Sequence, residues 1–137
     1  SKKLNFPLIE GEYNPDVLRK WFTLIRGLEH EKEGGSRCYI CYKERLERTA
    51  ELGKEMGFDY FTTTISISPH KRSEWVFGIG EEIENKLKIK FLKTDFKKRN
   101  GFKSSVILSH FFGLYRQSYC GCIFSKVESS NLNKDRF

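Results

Sequence analysis

The 137-residue chain contains no apolar run approaching the roughly 20 residues a membrane span needs, which excludes a helical membrane protein. No charged-then-apolar leader stands before a cleavage site, so a protein working in the cytoplasm is expected. Internal repeats and low-complexity tracts are also missing, and the length suits one hydrophobic core rather than two. Methionine occurs once, at Met56, and the chain opens Ser1-Lys2-Lys3, from which an upstream portion is expected to exist. Acidic residues are in the minority, 18 against 25 Lys and Arg, giving a formal net charge of +7 and a pI near 9.3. With aromatics at 15%, a polyanion with stackable bases is a better partner for this surface than an acidic protein.

Cysteine is scarce too, but its four copies fall in two tight pairs, Cys38-Tyr39-Ile40-Cys41 and Cys120-Gly121-Cys122. A Cys-x-x-Cys step puts two sulfurs on one side of a turn or helix start, close enough to share a zinc or an iron-sulfur cluster. The same spacing serves a dithiol that cycles to a disulfide. Cys-Gly-Cys is tighter, and its glycine lets the backbone bend enough to bring both sulfurs together. Two plain buried thiol pairs are the bland alternative. In a chain of cytosolic character, paired thiols favour metal or redox chemistry over a structural disulfide framework.

The remaining pattern alternates strands and helices. Residues 4–9 read as a short strand, and Asn14-Pro15-Asp16 as the capped start of a helix running to about Leu28. Its apolar positions Val17, Leu18, Trp21, Phe22, Ile25 and Leu28 follow the helical period and predict a core face. After a charged loop over residues 29–36, a second helix starts near Cys38 and ends at Gly57. Its N-terminal partial positive charge would favour thiolates or an anionic cluster. Residues 58–67 predict a buried strand that includes Thr62, Thr63 and Thr64. Ser68 then caps, and Pro69 opens, a helix to about Leu87. Residues 89–92 predict a strand, residues 94–101 a basic loop, and residues 103–112 a helix stopped by Gly113. The expected class is α/β with a mostly parallel sheet whose site lies at strand carboxyl ends, near Ser68 and Asp95. Residues 1–125 are read as one domain and residues 126–137 as a polar, frayed tail.

Read in order, Arg37-Cys38-x-x-Cys41, Phe61-Thr62-Thr63-Thr64 through Ile67-Ser68-Pro69-His70-Lys71, Thr94-Asp95-Phe96-Lys97-Lys98 and Gly113-Leu114-Tyr115-Arg116-Gln117-Ser118-Tyr119-Cys120-Gly121-Cys122 resemble one family. It is the iron-sulfur epoxyqueuosine reductase of the QueH type, which works without cobalamin. The likeness covers the chain from about residue 10 to 125, and the Tyr-Arg-Gln-x-Tyr-Cys-Gly-Cys string is its specific part. It implies a three-layer fold, a mostly parallel sheet flanked by helices, Rossmann-like and nucleotide alpha-hydrolase-like. It implies removal of the epoxide oxygen from epoxyqueuosine at the wobble position of tRNA, the last step to queuosine, with two electrons and two protons consumed. The cofactor implied is a 4Fe-4S cluster, with an additional iron left open, and the partners are that tRNA and an unidentified electron donor. Cys38 and Cys41 look like two cluster ligands, joined in the family by an adjacent cysteine pair nearer the N-terminus. Cys120 and Cys122 look like the redox-active, catalytic pair. The chain starts after the place of that adjacent pair, so it is expected to be about the C-terminal two-thirds of the family domain.

Other residues keep two readings each. Tyr115, Arg116 and Tyr119 would wall the substrate site, although Arg116 could equally brace a turn. Ser68, His70 and Asp95 are substrate-binding candidates, with capping or solvated roles as the alternatives. Lys97, Lys98, Arg99 and Lys103 either contact tRNA phosphates or form a solvated face. A zinc-stabilised, non-catalytic tRNA-binding module is the competing function; a thioredoxin-like oxidoreductase is weaker, because the charged loop 29–36 replaces the strand expected directly before Cys-x-x-Cys.

Overall fold

A computed structural model describes residues 6–11 and 14–134. The core is built by two helices and a pair of short strands. Helix α2 (Ser36–Glu55) buries Cys38, Tyr42, Leu46 and Ala50 at a spacing of four, one face of an α-helix. Helix α3 (Ser73–Leu87) answers with Val76, Ile79, Gly80 and Ile83. Strands β1 (Tyr60–Phe61) and β2 (Lys90–Phe91) run parallel with Phe61 opposite Phe91, and their rings meet at 5.1 Å inside the same cluster. Ion pairs Lys43–Glu82 (2.6 Å) and Lys86–Glu47 lace α2 to α3 on the solvent side. Exposed pairs of this kind are worth about 0–1 kcal/mol each, so the apolar face carries the packing.

Three helices surround this centre. Helix α1 (Pro15–Leu24) starts as expected, with the Asn14 side chain accepting from Asp16 N at 2.8 Å and Pro15 in the first turn. It ends at Leu24 rather than about Leu28, and its apolar face is not core: Val17, Leu18, Phe22 and Leu24 are exposed, while Ile25, just past the helix, is fully buried. Helix α4 (Gly101–Phe111) follows the basic turn and stops before Gly113, which adopts φ +62. Helix α5 (Ile123–Lys134) occupies the stretch read as a frayed tail.

Other local expectations also change. Leu4 and Asn5 lie outside the described residues, and residues 6–9 carry no strand. The long strand at residues 58–67 shrinks to Tyr60–Phe61, because β2 offers only two residues for pairing. Beyond it Thr62 Oγ1 donates to the Leu92 carbonyl (2.8 Å) and a 3₁₀ turn takes Ile65–Ile67. Ser68 and Pro69 do not open α3. The Ser68 carbonyl accepts from Lys71 N in a turn, and the helix begins at Ser73. The architecture is thus mixed, mostly helical, with a small parallel sheet.

Candidate dithiol cleft

Two pieces of chain far apart in sequence bring the cysteine pairs to one place. Cys38 and Cys41 sit on the first two turns of α2. The Glu31 carboxylate caps that helix, accepting from Arg37 N at 2.9 Å, and Gly34 N donates to Cys38 Sγ at 3.2 Å. The orphan Arg37 amide of the first turn is therefore met by an acidic side chain, and the Gly34 amide just before the helix by a sulfur. Cys120 and Cys122 lie on the turn leading into α5, where Gly121 adopts φ +100. That backbone state is natural to glycine and turns both sulfurs to one side, 3.6 Å apart.

All four cysteines line a single cleft of about 1010 Å³. Cys120 is near enough for its charge to act on Cys41. Burial pushes the Cys41 thiol up, with the Cys120 and Cys38 charges adding and those of Arg45 and Lys71 opposing. The other pair is split. Burial pushes Cys120 up too, but hydrogen bonds from the Cys122 amide, Ser125 and the Cys122 thiol, with the field of Lys71, bring it below the ordinary thiol value. Cys122 ends above that value, through burial and the charge of its neighbour, although the Ser125 amide and Arg37 pull the other way. One thiol of the pair is thereby favoured as thiolate and the other as thiol.

Two buried cations back the cleft. Arg37 is 2% exposed, donates to the Glu29 carbonyl at 2.7 Å and lies under the Phe124 ring at 4.4 Å. Its Nη2 stands 3.8 Å from Glu128, and its Nε and Nη2 make no hydrogen bond. Of α1, Phe22 packs edge-on and Trp21 tilted against Phe124, and so they hold α5 over this arginine. Lys71 is 6% exposed and pairs with Glu33.

Of the residues expected at the site, Ser68, His70, Tyr115, Arg116 and Tyr119 line the cleft with the thiols. Tyr115 is 86% exposed at the mouth. Arg116 also braces α4, donating to Ser109 Oγ at 2.9 Å and to the Ser105 carbonyl at 3.3 Å. Asp95 is not part of the lining; its carboxylate accepts from Lys97 N at 3.1 Å and caps its own turn. Lys98, Arg99 and Lys103 are exposed outside the cleft, whereas half-buried Lys97 spends its ammonium on the Lys71 carbonyl at 2.6 Å. Glu33 and Ser125 were not singled out beforehand. The apolar spacing Ile123, Phe124, Val127 was the available signal for the helix that carries Ser125.

A 4Fe-4S cluster asks for four ligands. Among the described residues no three Cys, His, Asp or Glu side chains converge as a metal site. The described side chains by themselves therefore do not complete the ligand set of such a cluster.

The described residues thus form a small, mostly helical α/β unit with two thiol pairs in one cleft backed by two buried cations. More particularly, the chain belongs to the epoxyqueuosine reductase QueH family, whose model matches residues 1–128. Proteins named epoxyqueuosine reductase QueH are similar to it. The one from Streptococcus pyogenes serotype M1 is 41% identical over 117 residues, covering 85% of this chain and 45% of the relative. That from Thermotoga maritima is 40% identical over 118 residues, 86% and 62%; that from Staphylococcus epidermidis is 37% identical over 131 residues, 93% and 55%. The chain spans about half the length of these curated relatives.

Proposed function

We propose that this chain is the thiol-bearing part of an epoxyqueuosine reductase that converts epoxyqueuosine to queuosine at the wobble position of tRNA. Loss of the epoxide oxygen as water, leaving a carbon–carbon double bond, consumes two electrons and two protons. Oxidation of a dithiol to a disulfide releases that number, and Cys120 and Cys122 are the pair spaced for it. The observation that carries the reading is the single cleft lined by both cysteine pairs, with Tyr115, Arg116 and Tyr119 at its mouth. Cys38 and Cys41 are assigned as two ligands of a 4Fe-4S cluster, which would supply electrons one at a time. Ser68 and His70 face the substrate; Asp95 serves it indirectly by shaping the basic turn. The β1–β2 pair belongs, in this reading, to a larger Rossmann-like three-layer sheet, with residues 1–125 as one domain. Cytoplasmic thiol poise suits such a pair, and no helix among the described residues is long and apolar enough to cross a membrane. Relatives named as reductases favour this over a zinc-stabilised, non-catalytic tRNA-binding module.

The test is single-turnover conversion of epoxyqueuosine-containing tRNA with a chemical reductant, read by nucleoside mass analysis, together with iron and sulfide per chain. In a full-length protein of the family that carries these residues, Cys120→Ser and Cys122→Ser are expected to abolish conversion while leaving iron content and visible absorption; Cys38→Ala and Cys41→Ala are expected to lose conversion, iron and absorption alike. Equal loss of iron in all four variants would show one metal assembly rather than two pairs with separate roles. Reconstituted beside the Thermotoga maritima relative, this chain is expected to hold less iron and sulfide. Equal loading would overturn the two-ligand assignment.

A further inference from the structure

Helix α5 starts on the thiol pair itself. Cys122 stands directly before Ile123, the first residue of α5, and closes the helix start as its N-cap. Its carbonyl accepts from Lys126 N at 3.1 Å and its Sγ accepts from Ser125 N at 3.3 Å. Ser125 answers in the opposite direction, its Oγ accepting from Cys120 N at 3.0 Å, so the cap is reciprocal and ties both cysteines to one turn. The side chains that ordinarily cap a helix are Ser, Thr, Asp and Asn. A cysteine there puts an oxidisable atom where a fixed acceptor normally sits. The helix has a narrow hold on the rest of the molecule. It is 12 residues long, a length at which an isolated helix is marginal in water. Ile123 and Val127 are exposed, and α5 is held mainly through Phe124, over Arg37 at 4.4 Å, buried Ser125, whose hydroxyl donates to Glu33 Oε2 at 3.4 Å, and Glu128, 3.8 Å from Arg37. These contacts lie in its first two turns, so the order of that start governs the helix.

We propose that the Cys120–Cys122 pair is a redox-switched helix cap: reduced, it closes the start of α5, and oxidised to a disulfide it releases that cap and loosens the helix. This deepens the dithiol reading of the same cleft and rests on it, not on the identity of the substrate. The sulfur that caps is the sulfur that must bond. The two Sγ atoms stand 3.6 Å apart, beyond bonding distance, and Ser125 Oγ holds Cys120 by its backbone, so Cys122 Sγ turns from the Ser125 amide toward its neighbour. Oxidation also removes the charge a dithiol carries on losing a proton, and with it the charge-assisted part of the amide-to-sulfur bond. With diamide, a diazene, as oxidant, both S–H bonds break and one S–S bond forms. The two protons and two electrons pass to the N=N bond and leave a hydrazine. The electron state of the pair is thereby read at the surface as the order of α5.

The experiment follows amide hydrogen exchange by mass spectrometry on the whole chain without tRNA, reduced and after diamide, with the disulfide located by peptide mass analysis. Oxidation is expected to speed exchange across α5 about five-fold, the effect of losing one side-chain cap, while α2 and α3 keep their protection. Cys122→Ala removes the cap without making the disulfide, and its α5 is expected to exchange as fast as that of the oxidised parent, with or without diamide. Cys122→Asp restores an acceptor that cannot be oxidised, and Cys120→Ala leaves the capping sulfur without its partner; both are expected to keep α5 protected after diamide. Strain from a cross-link alone would loosen α5 only where the disulfide is present and would leave Cys122→Ala protected, which would overturn the cap. Should Cys122→Ala fail to fold, judged by lost protection in α2 and α3, Cys122→Asp and Cys120→Ala decide. Unchanged α5 exchange in a parent whose Cys120–Cys122 disulfide is confirmed, diamide-sensitive α5 in Cys122→Asp, or a disulfide formed only with Cys38 or Cys41 would each overturn the switch. A chain that shows the switch yet never converts epoxyqueuosine would keep the cap and lose the substrate reading.

Discussion

Tyr42 takes its hydroxyl into the core, 4% exposed, with no hydrogen-bond partner among the described residues. Burial pushes the phenol up to about 12, although the Lys71 ammonium, 5.7 Å from its ring, pulls the other way. The neutral form is therefore the one the fold prefers. Stability from this group is complete below the unfolded value of 10.0 and is lost as pH rises through about 12. Lys71 acts in the same direction: burial lowers its pKa, but pairing with Glu33 outweighs that and leaves it above 10.5, so its contribution also fades at alkaline pH. Denaturant midpoints are expected to fall between pH 10 and 12. Tyr42→Phe removes an unsatisfied buried hydroxyl, so near neutrality it is expected to lie within about 1 kcal/mol of the parent or slightly above it. Its alkaline loss is expected to be smaller. An identical alkaline loss in Tyr42→Phe would assign the effect elsewhere.

At the scale of elements, the closest approach in the core is that of α3 to β2. A Cβ on Gly80 would lie 2.3 Å from the Phe91 ring, so this glycine is what lets the helix seat against the strand. Gly80→Ala is expected to cost about 1–3 kcal/mol by forcing ring and helix apart, read as a lowered urea midpoint with an unchanged m-value; an unchanged midpoint would mean the ring rotates away freely. This contact was invisible in the sequence, where Gly78 and Gly80 look alike, because it depends on which helix face meets Phe91. Helix ends were more legible, since Gly57 and Gly113 mark local backbone conformations that hold whatever packs around them. The aromatic and threonine-rich stretch after Phe58 predicts strand on local preference, yet a ladder needs a partner of equal length, and β2 supplies two residues. Likewise Ser68-Pro69 looks like a helix start until the buried Lys71 is seen to need the turn that delivers it to Glu33. The thiol pairs themselves were legible from spacing, and Ser125 and Glu33 were not, because they are joined to the site by contacts spanning much of the chain.

Over the whole molecule the excess positive charge is not spread evenly in what it can do. Arg37 and Lys71 are buried behind the cleft, and Lys97 is tied to the Lys71 carbonyl, which leaves Lys98, Arg99 and Lys103 as the exposed cations of the turn entering α4. Arg99 and Asn100 both adopt left-handed backbone, φ +53 and +61. For the arginine this costs on the order of 1 kcal/mol. Binding to a tRNA is expected to weaken as salt rises, because each neutralised phosphate releases counterions. Changing Lys98, Arg99 and Lys103 together to Ala should flatten the log–log salt slope by about 2, at roughly 0.7–0.9 per phosphate. Lys97→Ala should behave differently: it loses an internal hydrogen bond worth about 1 kcal/mol and leaves the slope nearly unchanged. Arg99→Gly separates charge from strain, since it is expected to raise the unfolding midpoint while removing about one unit of slope. A triple variant with unaltered affinity and slope would rule this turn out as the contact. A Lys97→Ala variant that alone loses a full unit would show that its ammonium leaves the Lys71 carbonyl to reach RNA.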